Sequence, residues 1–499
     1  MWWDERSTAA CNVSQPGETR SAHTQHAVQQ IADADIAVQT TPANRGGPAS
    51  TCGRLTVTVD LEDDYVRGLV LAGLHRRPEW HVVRIDGEGE EVCQAAQESF
   101  LHWGEYERID WARVHEGKQH ASSYCVRKGL IRKAHLAHNL KKWAAKHPNG
   151  LLAKAVPETL ILEVDHPDYF EEALSDCFEV RDMVPGSQKW IAKPSITNQA
   201  VGICIFNRVE QLQAAVESAE DLREWVLQRY IERPLLINKR KFHLRAYALC
   251  IGSMAAYVFD EILALFAGVP YADAALTDLS AHLTNTCHFV AHGQLQNGDM
   301  SEDDIVKLLS ELPLVLAADQ GMPLADAQAR VQQLNTRVQA VIGECLEAVS
   351  SELTFFTLPN CFELFGFDLL VDEDWQVWLL EANAEPDLKQ TGSRLRPLIA
   401  GLIEGTLELV VDPLAGPQGS PSTTKAADLM GSDILDVHKA ASVSGSSQCT
   451  GNMCVQQDSR HAKAAANGCQ TVDRIGHWVK VFEKSEGGRT GGSSGIRMS

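Results

Sequence analysis

The chain has 499 residues, with 45 Lys and Arg against 66 Asp and Glu, a formal net charge of −21. That balance excludes a general nucleic-acid binder unless basic charge is gathered in one place. The composition, 44% hydrophobic and 22% charged, is that of a soluble globular protein long enough for two or three domains, and no apolar run approaches the roughly 18 residues of a membrane span.

Residues 1–52 are rich in Ser, Thr, Ala, Gln and Gly, lack hydrophobic periodicity and read as a flexible arm. The opening "MWWDERSTAACN" has no apolar core, so no secretory signal is expected. The 13 cysteines are scattered without a CxxC pair, which fits reduced thiols better than a disulfide framework.

Residues 53–150 predict a small α/β domain. "RLTVTVD" and "WHVVRID" are strand-like, with the helical "YVRGLVLAGLHRR" between them, a βαβ-like start. A basic stretch follows, "RKGLIRKAHLAHNLKKWAAKH", residues 127–147, with seven Lys or Arg, three His and no acid. Leu136, Leu140 and Trp143 give it a helical face. One basic stretch in an acidic protein points to an anionic ligand, a phosphate or an acidic peptide.

Residues 151–232 predict a second unit. "KWIAKP" and "VGICIF" are strands around a polar loop, "EQLQAAVESAEDLREW" is a helix, and "VLQRYI" is a strand leading to a Pro-terminated linker. Lys193 at a strand end before a loop suits a phosphate contact, although no G-x-x-x-x-G-K-[ST] loop occurs. Gln228 and Tyr230 interrupt the next apolar strand, whose backbone can meet an adenine edge.

Residues 233–413 predict a third unit. In "KFHLRAYALCI", Lys241, His243 and Arg245 alternate onto one strand face, with Phe242, Leu244 and Ala246 on the other. "MAAYVFDEILALFA" reads as one long strand-like run. Residues 301–350 read as helical, with an apolar stripe through Val331, Leu334, Val338, Val341 or Ile342, Leu346 and Val349 that belongs to a core.

The densest stretch is "FELFGFDLLVDEDWQVWLLEANAEP", residues 362–386, which reads as a hairpin. With its turn centred between Asp374 and Trp375, Asp368 lies opposite Glu381, and Asn383 shares their face. Two opposed carboxylates and an amide inside apolar strands predict a hard divalent cation, Mg²⁺, shared with nucleotide phosphates. A one-residue slip of the turn would undo this pairing. Residues 414–499 are Gly/Ser-rich and read as a largely disordered tail, whose apolar "HWVKVFE" has no evident place.

Phosphate lysine and loop, hinge strand, cationic strand and acid hairpin come in the order of an ATP-grasp site. The chain is identified as a member of the tubulin–tyrosine ligase family over about residues 100–413. The matching stretches are "YCVRKGLIRKAHLAHNLKKW", "WIAKP", "LQRYIERPLLINKRKFHLRAYAL", "ALFAGVPY", "HLTNTC" and the acid hairpin ending E-x-N-x-x-P. The resemblance implies an α+β ATP-grasp fold, two lobes around ATP, preceded by the small α/β domain. It implies ATP-binding residues Lys133, Lys193, Gln228, Tyr230, Ile231, Lys241, Thr284 and Asn285. Arg245 and Lys241 are implied as catalytic, and Asp368, Glu381 and Asn383 as Mg²⁺ ligands.

The implied reaction is ATP-dependent addition of a free amino acid, tyrosine first, to the carboxylate of an acidic protein tail. The implied acceptor is the tubulin C-terminal tail, in the cytoplasm or on the cytoskeleton. Arg127, Lys128, Arg132, Lys141 and Lys142 are the expected docking surface for that tail. One departure stands out: Gln199 and Ala200 occupy positions where the family commonly has a basic residue and Gly. Two alternatives follow from it and from the dispersed side-chain pocket: a glutamate or glycine ligase, or a nucleotide- or tubulin-binding scaffold without ligase activity.

Overall fold

The computed structural model describes residues 54–85, 98–197, 201–219, 221–271, 276, 279–284, 305–388, 394–416 and 474–484. The expected arm, residues 1–52, and most of the expected tail lie outside them, as do Gln199, Ala200 and Asn285.

The βαβ pattern at the start folds as read. Strands β1 (Leu55–Asp60), β2 (Trp80–Arg84), β3 (Leu101–Gly104) and β4 (His120–Ala121) form a parallel sheet in the order β2-β1-β3-β4. Helix α1 (Asp64–Leu74) makes the first crossover, and the Asp63 carboxylate caps it by accepting from the Val66 N–H. The basic stretch becomes helix α2 (Lys133–Lys146), which buries Leu136 and Leu140 and exposes Lys141, Lys142 and Lys146.

A second, antiparallel sheet holds β5 (Thr159–Glu163), β6 (Trp190–Pro194), β7 (Cys204–Phe206) and β8 (Glu224–Arg229), in the order β5-β8-β6-β7. It has its own core around Trp190, Trp225, Phe170 and Phe206. The helix read from "EQLQAAVESAEDLREW" covers only Val209–Glu217.

The third sheet is built on β10 (Arg240–Ile251). The short β9 (Leu236–Ile237) pairs with its start. The run read as one strand after it is two, β11 (Ala255–Phe259) and β12 (Leu263–Phe266). Both lie on the same side of β10, β12 against its first half and β11 against its second, so the chain must cross between them at Asp260–Ile262. Beyond β12 lies β13 (Val306–Leu308), inside the region read as wholly helical. The rest of that region includes helix α3 (Leu324–Ser350), whose Val331, Leu334, Val338, Val341, Ile342, Leu346 and Val349 are all buried in the core, as the stripe predicts. On the other side of β10 run β14 (Phe362–Val371) and β15 (Val377–Ala384).

The tail patch left unplaced by the sequence returns to this sheet. β16 (Arg474–Ile475) and β17 (Trp478–Glu483) form a hairpin, and β17 pairs antiparallel with β11. Trp478 is fully buried beside Phe259. Pleating then divides the sheet. Phe242, Leu244, Ala246 and Ala248 of β10 face α3, while Tyr247, Leu249 and Ile251 face the N-terminal sheet and helix α4 (Arg396–Val410). Lys241, His243 and Arg245 lie on the latter face, at the end that the N-terminal core does not cover. Among the described residues, no helix is long and apolar enough to cross a membrane.

Candidate active site

Asp368 of β14 is opposed by Glu381 of β15, and Arg245 of β10 stands opposite Asp368 on its other side. The route to this register differs from the expectation. The turn is one residue tighter, with Val371 opposite Val377 and a three-residue loop between Asp372 and Gln376. Trp375 takes a left-handed conformation there, φ 63°, as a loop of this length requires. A β-bulge between Asp368 and Leu369 then makes Leu380 the extra residue on β15 and restores the pairing of the two acids. Asn383 sits opposite Gly366, and its Nδ2 donates to Asp368 Oδ2 at 3.3 Å. A methyl group at Gly366 would lie 3.0 Å from Pro386 Cβ and 3.3 Å from Arg245 Cδ, so glycine lets the arginine stem lie close across the strand.

Arg245 grips Asp368 with both arms, Nε to Oδ1 and a terminal nitrogen to Oδ2 at 3.0 Å. Burial opposes ionisation of Asp368, but the charge of Arg245, and then His243, outweighs it and holds the carboxyl well below the usual range. His243 Nε2 is 3.5 Å from Asp368 Oδ1, while its Nδ1 bonds the Thr284 hydroxyl. Thr284 is thereby tied to the cationic strand. The Lys241–His243–Arg245 alternation places His243 on this face, but the sequence gives it no role.

The second sheet and α2 complete the site. Lys193 Nζ donates to Gln228 Oε1 at 3.0 Å, and the Gln228 amide donates to Thr159 Oγ1 at 3.3 Å. Lys133, the first residue of α2, reaches the Thr197 carbonyl at 2.9 Å and lies 3.7 Å from Glu381 Oε2. Lys241 Nζ donates to the Tyr230 hydroxyl at 3.0 Å, and that hydroxyl lies 2.8 Å from His282 Nδ1. Burial, and then the charge of Lys193, push Lys241 down to about 7. Lys193 is also pushed down, chiefly by burial. Ile231 follows Tyr230, half-buried. Between α2, β8 and the Leu379–Leu380 bulge is a small cavity of about 20 Å³, lined by Lys133, Lys193, Val226 and Gln228.

Four cations, Lys133, Lys193, Lys241 and Arg245, thus meet two carboxylates in one buried place. Among the described residues, no group of three or more His, Cys, Asp or Glu side chains is arranged for a metal. Asp368, Glu381 and Asn383 each own an oxygen of the kind a hard cation of the Mg²⁺ type takes, but here Arg245 holds both Asp368 oxygens and Asn383 turns its amide nitrogen to Asp368, so the set fits such a cation once Arg245 lets go.

The proposed docking residues divide. Arg127 is nearly buried, ion-paired with Glu363 and with Glu385 at 3.0 Å, and lies over the Tyr106 ring. Lys142 is exposed but bonds Glu352 at 2.7 Å. Lys128, Arg132 and Lys141 are exposed. Sequence reading missed the Glu363 partner because it sits on the opposite pleat of the acid hairpin's first strand, where an apolar residue is expected.

The sequence model of the tubulin-tyrosine ligase family matches residues 115–418. The chain belongs to this family. It is 30% identical over 407 residues to a probable tubulin–tyrosine ligase of Schizosaccharomyces pombe, covering 73% of this chain and 93% of that protein. It is 31% identical over 374 residues to PBY1 of Saccharomyces cerevisiae, also named a probable tubulin–tyrosine ligase, covering 64% of this chain and 47% of that one. A probable tubulin polyglutamylase, TTLL9 of Bos taurus, is 27% identical over 407 residues, covering 72% of this chain and 81% of that protein. Among solved structures, the chain is similar to the C-terminal domain of K. lactis Pby1, described as an ATP-grasp enzyme interacting with the mRNA decapping enzyme Dcp2. That match has a TM-score of 0.52 and 30% identity, and covers 72% of this chain and 94% of that one. The chain is an ATP-grasp ligase of the tubulin-tyrosine ligase family, with a mixed α+β fold.

Proposed function

We propose that the protein joins a free amino acid, tyrosine, to the carboxylate of an acidic protein tail of the tubulin type, through an acyl phosphate. The observation that carries this reading is Lys241. It is a buried cation with no carboxylate partner among the described residues, beside a row in which Arg245, Asp368 and Glu381 oppose one another. A cationic excess kept out of water favours a polyanion, and a triphosphate is the polyanion an ATP-grasp ligase uses.

In this reading, Lys133, Lys193 and Lys241 hold the phosphates, and Gln228, Tyr230 and Ile231 border the base. Asp368, Glu381 and Asn383 would hold Mg²⁺, which when bound supplies charge neutralisation on the transferring phosphoryl group. The acceptor carboxylate oxygen forms a bond to the γ-phosphorus, the bond to the bridging oxygen breaks, and ADP leaves. The amine nitrogen then bonds the acyl carbon, the carbon–oxygen bond to phosphate breaks, phosphate leaves, and the nitrogen loses a proton. Arg245, released from Asp368, stabilises the oxyanion of that second step. Exposed Lys128, Arg132 and Lys141 attract the acidic tail, so acceptor binding weakens with salt.

Relatives named for glutamate and glycine addition keep those amino acids as alternatives. The acyl phosphate is the direct test. Protein, ATP-Mg²⁺ and acceptor are mixed with hydroxylamine and no amino acid. An acceptor hydroxamate with ADP is expected; ADP formed without hydroxamate overturns the acyl-phosphate route.

A further inference from the structure

The basic stretch shares its surface with two large apolar side chains. Just after α3 the chain turns through Glu352–Phe355, with the Phe355 N–H donating to the Glu352 carbonyl at 3.0 Å. Leu353, at the outer corner of the turn, is 95% exposed, and Phe356, just past it, is 51% exposed. Between them Phe355 is buried, with Tyr124 and Phe365 at centroid distances of 5.7 and 6.2 Å. The turn thus anchors itself with one aromatic ring and holds two apolar side chains out in water.

The turn is also fixed from below. The Gly129 N–H donates to the Thr354 carbonyl at 2.7 Å, Asn139 Nδ2 donates to Thr354 Oγ1 at 3.3 Å, and the Phe356 N–H donates to the Val126 carbonyl at 2.8 Å. A methyl group at Gly129 would lie 2.4 Å from Thr354 Oγ1 and 2.9 Å from the Thr354 carbonyl, so glycine allows this approach. A surface set in advance costs little to order on binding. The same bonds place the apolar pair beside Lys128. Lys128 and Arg132 are exposed and have no side-chain partner among the described residues. Glu352, the acid of the turn, is taken by Lys142 at 2.7 Å, and exposed Lys484 adds a cation at the Ser350 carbonyl, 2.7 Å away. An apolar pair within an excess of positive charge fits a partner that is both acidic and apolar.

We infer that this surface docks an extended acidic peptide by one large apolar side chain, seated on Leu353 and Phe356, with the peptide's carboxylates on Lys128 and Arg132. Calling that peptide the acceptor rests on the ligase reading above. The surface leads to the site. Lys133 is five residues beyond Lys128, no more than about 18 Å along the chain, and it stands 3.7 Å from Glu381. An extended peptide spans that distance in about five or six residues. The acceptor therefore carries its apolar residue about six positions from the reacting carboxylate, and is selected by that contact as well as by charge. A second copy of this chain is disfavoured, because a symmetric contact would set these cations against their own equivalents.

Fluorescence anisotropy of the full chain, without ATP, tests this with two labelled peptides. One is a decaglutamate with Phe at the sixth residue from its C-terminus; the other has Ser there. The Phe peptide should bind roughly tenfold tighter, the scale of one large apolar side chain removed from water. Leu353→Ser combined with Phe356→Ser should erase that preference and leave the affinity of the Ser peptide unchanged. Lys128→Glu should weaken both peptides. Equal affinities of the two peptides, a preference that survives the double substitution, or unchanged affinities in Lys128→Glu overturns the assignment. A concentration-dependent dimer that the double substitution abolishes gives the surface to a second copy and overturns it too. The two readings fail separately: absence of hydroxamate formation leaves the Phe preference in place, and loss of that preference leaves hydroxamate formation in place.

Discussion

Lys241 makes the triphosphate reading quantitative. Its pKa of about 7 in the free protein means that at pH 8 only about one-tenth of the molecules carry its charge. A phosphate brought against Nζ restores the charge, so binding at pH 8 takes up close to one proton. Affinity for ATP then falls nearly tenfold per unit between about pH 8 and pH 9. The nucleotide itself is not the source, because the last phosphate ionisation lies near pH 6. Calorimetry at pH 8 in two buffers of different ionisation enthalpy reads the uptake directly. Lys241→Met should remove most of it and weaken binding. Zero uptake by the unaltered protein would refute the reasoning, because Lys241 would then either stay charged when free or not meet the phosphates.

Other outcomes follow from the same contacts. Glu381→Gln should abolish ATP-dependent turnover while circular dichroism and the melting temperature stay close to those of the parent protein. Arg127→Ala strands the buried Glu363 carboxylate and should cost about 3–5 kcal/mol in chemical denaturation. Adding Glu363→Gln should recover part of that loss. Trp478→Ala empties a fully buried indole site under β11 and should cost about 3–5 kcal/mol, a loss that a tail without a folded role would not produce. The Lys241 shift also has a sign for stability. The unfolded chain holds that proton up to about 10.5 and the folded one only to about 7. Stability from this group therefore rises with pH across that window, and Lys241→Met should flatten the rise in denaturation midpoints measured from pH 7 to 9.

Much of the site was legible because strand periodicity alone sorts residues onto faces. Lys241, His243 and Arg245 share a face by alternation, and so do Glu381 and Asn383. The α3 stripe was legible for the same reason at helical spacing. The pairing of Asp368 with Glu381 was reached by a register that is wrong at the turn. Turn chemistry sets the loop at three residues, and only the bulge at Leu380, which no periodicity signals, returns the acids to one another. The break between β11 and β12 was hidden because Ile262 continues the apolar run across it. The return of Trp478 to the sheet edge was hidden by distance along the chain, since an isolated strand carries no sign of its partner. Arg127 reads as part of the docking surface because its partners, Glu363 and Glu385, lie more than 200 residues away.

The central claim is ATP-dependent ligation by the Asp368–Glu381–Asn383 site. The direct measurement is transfer of radiolabelled tyrosine, glutamate or glycine, each in turn, to tubulin by the purified full chain and by its Glu381→Gln variant. Label from tyrosine that requires ATP and is lost in the variant is the predicted result. Equal labelling by the variant, or no ATP-dependent label from any of the three amino acids, would contradict it.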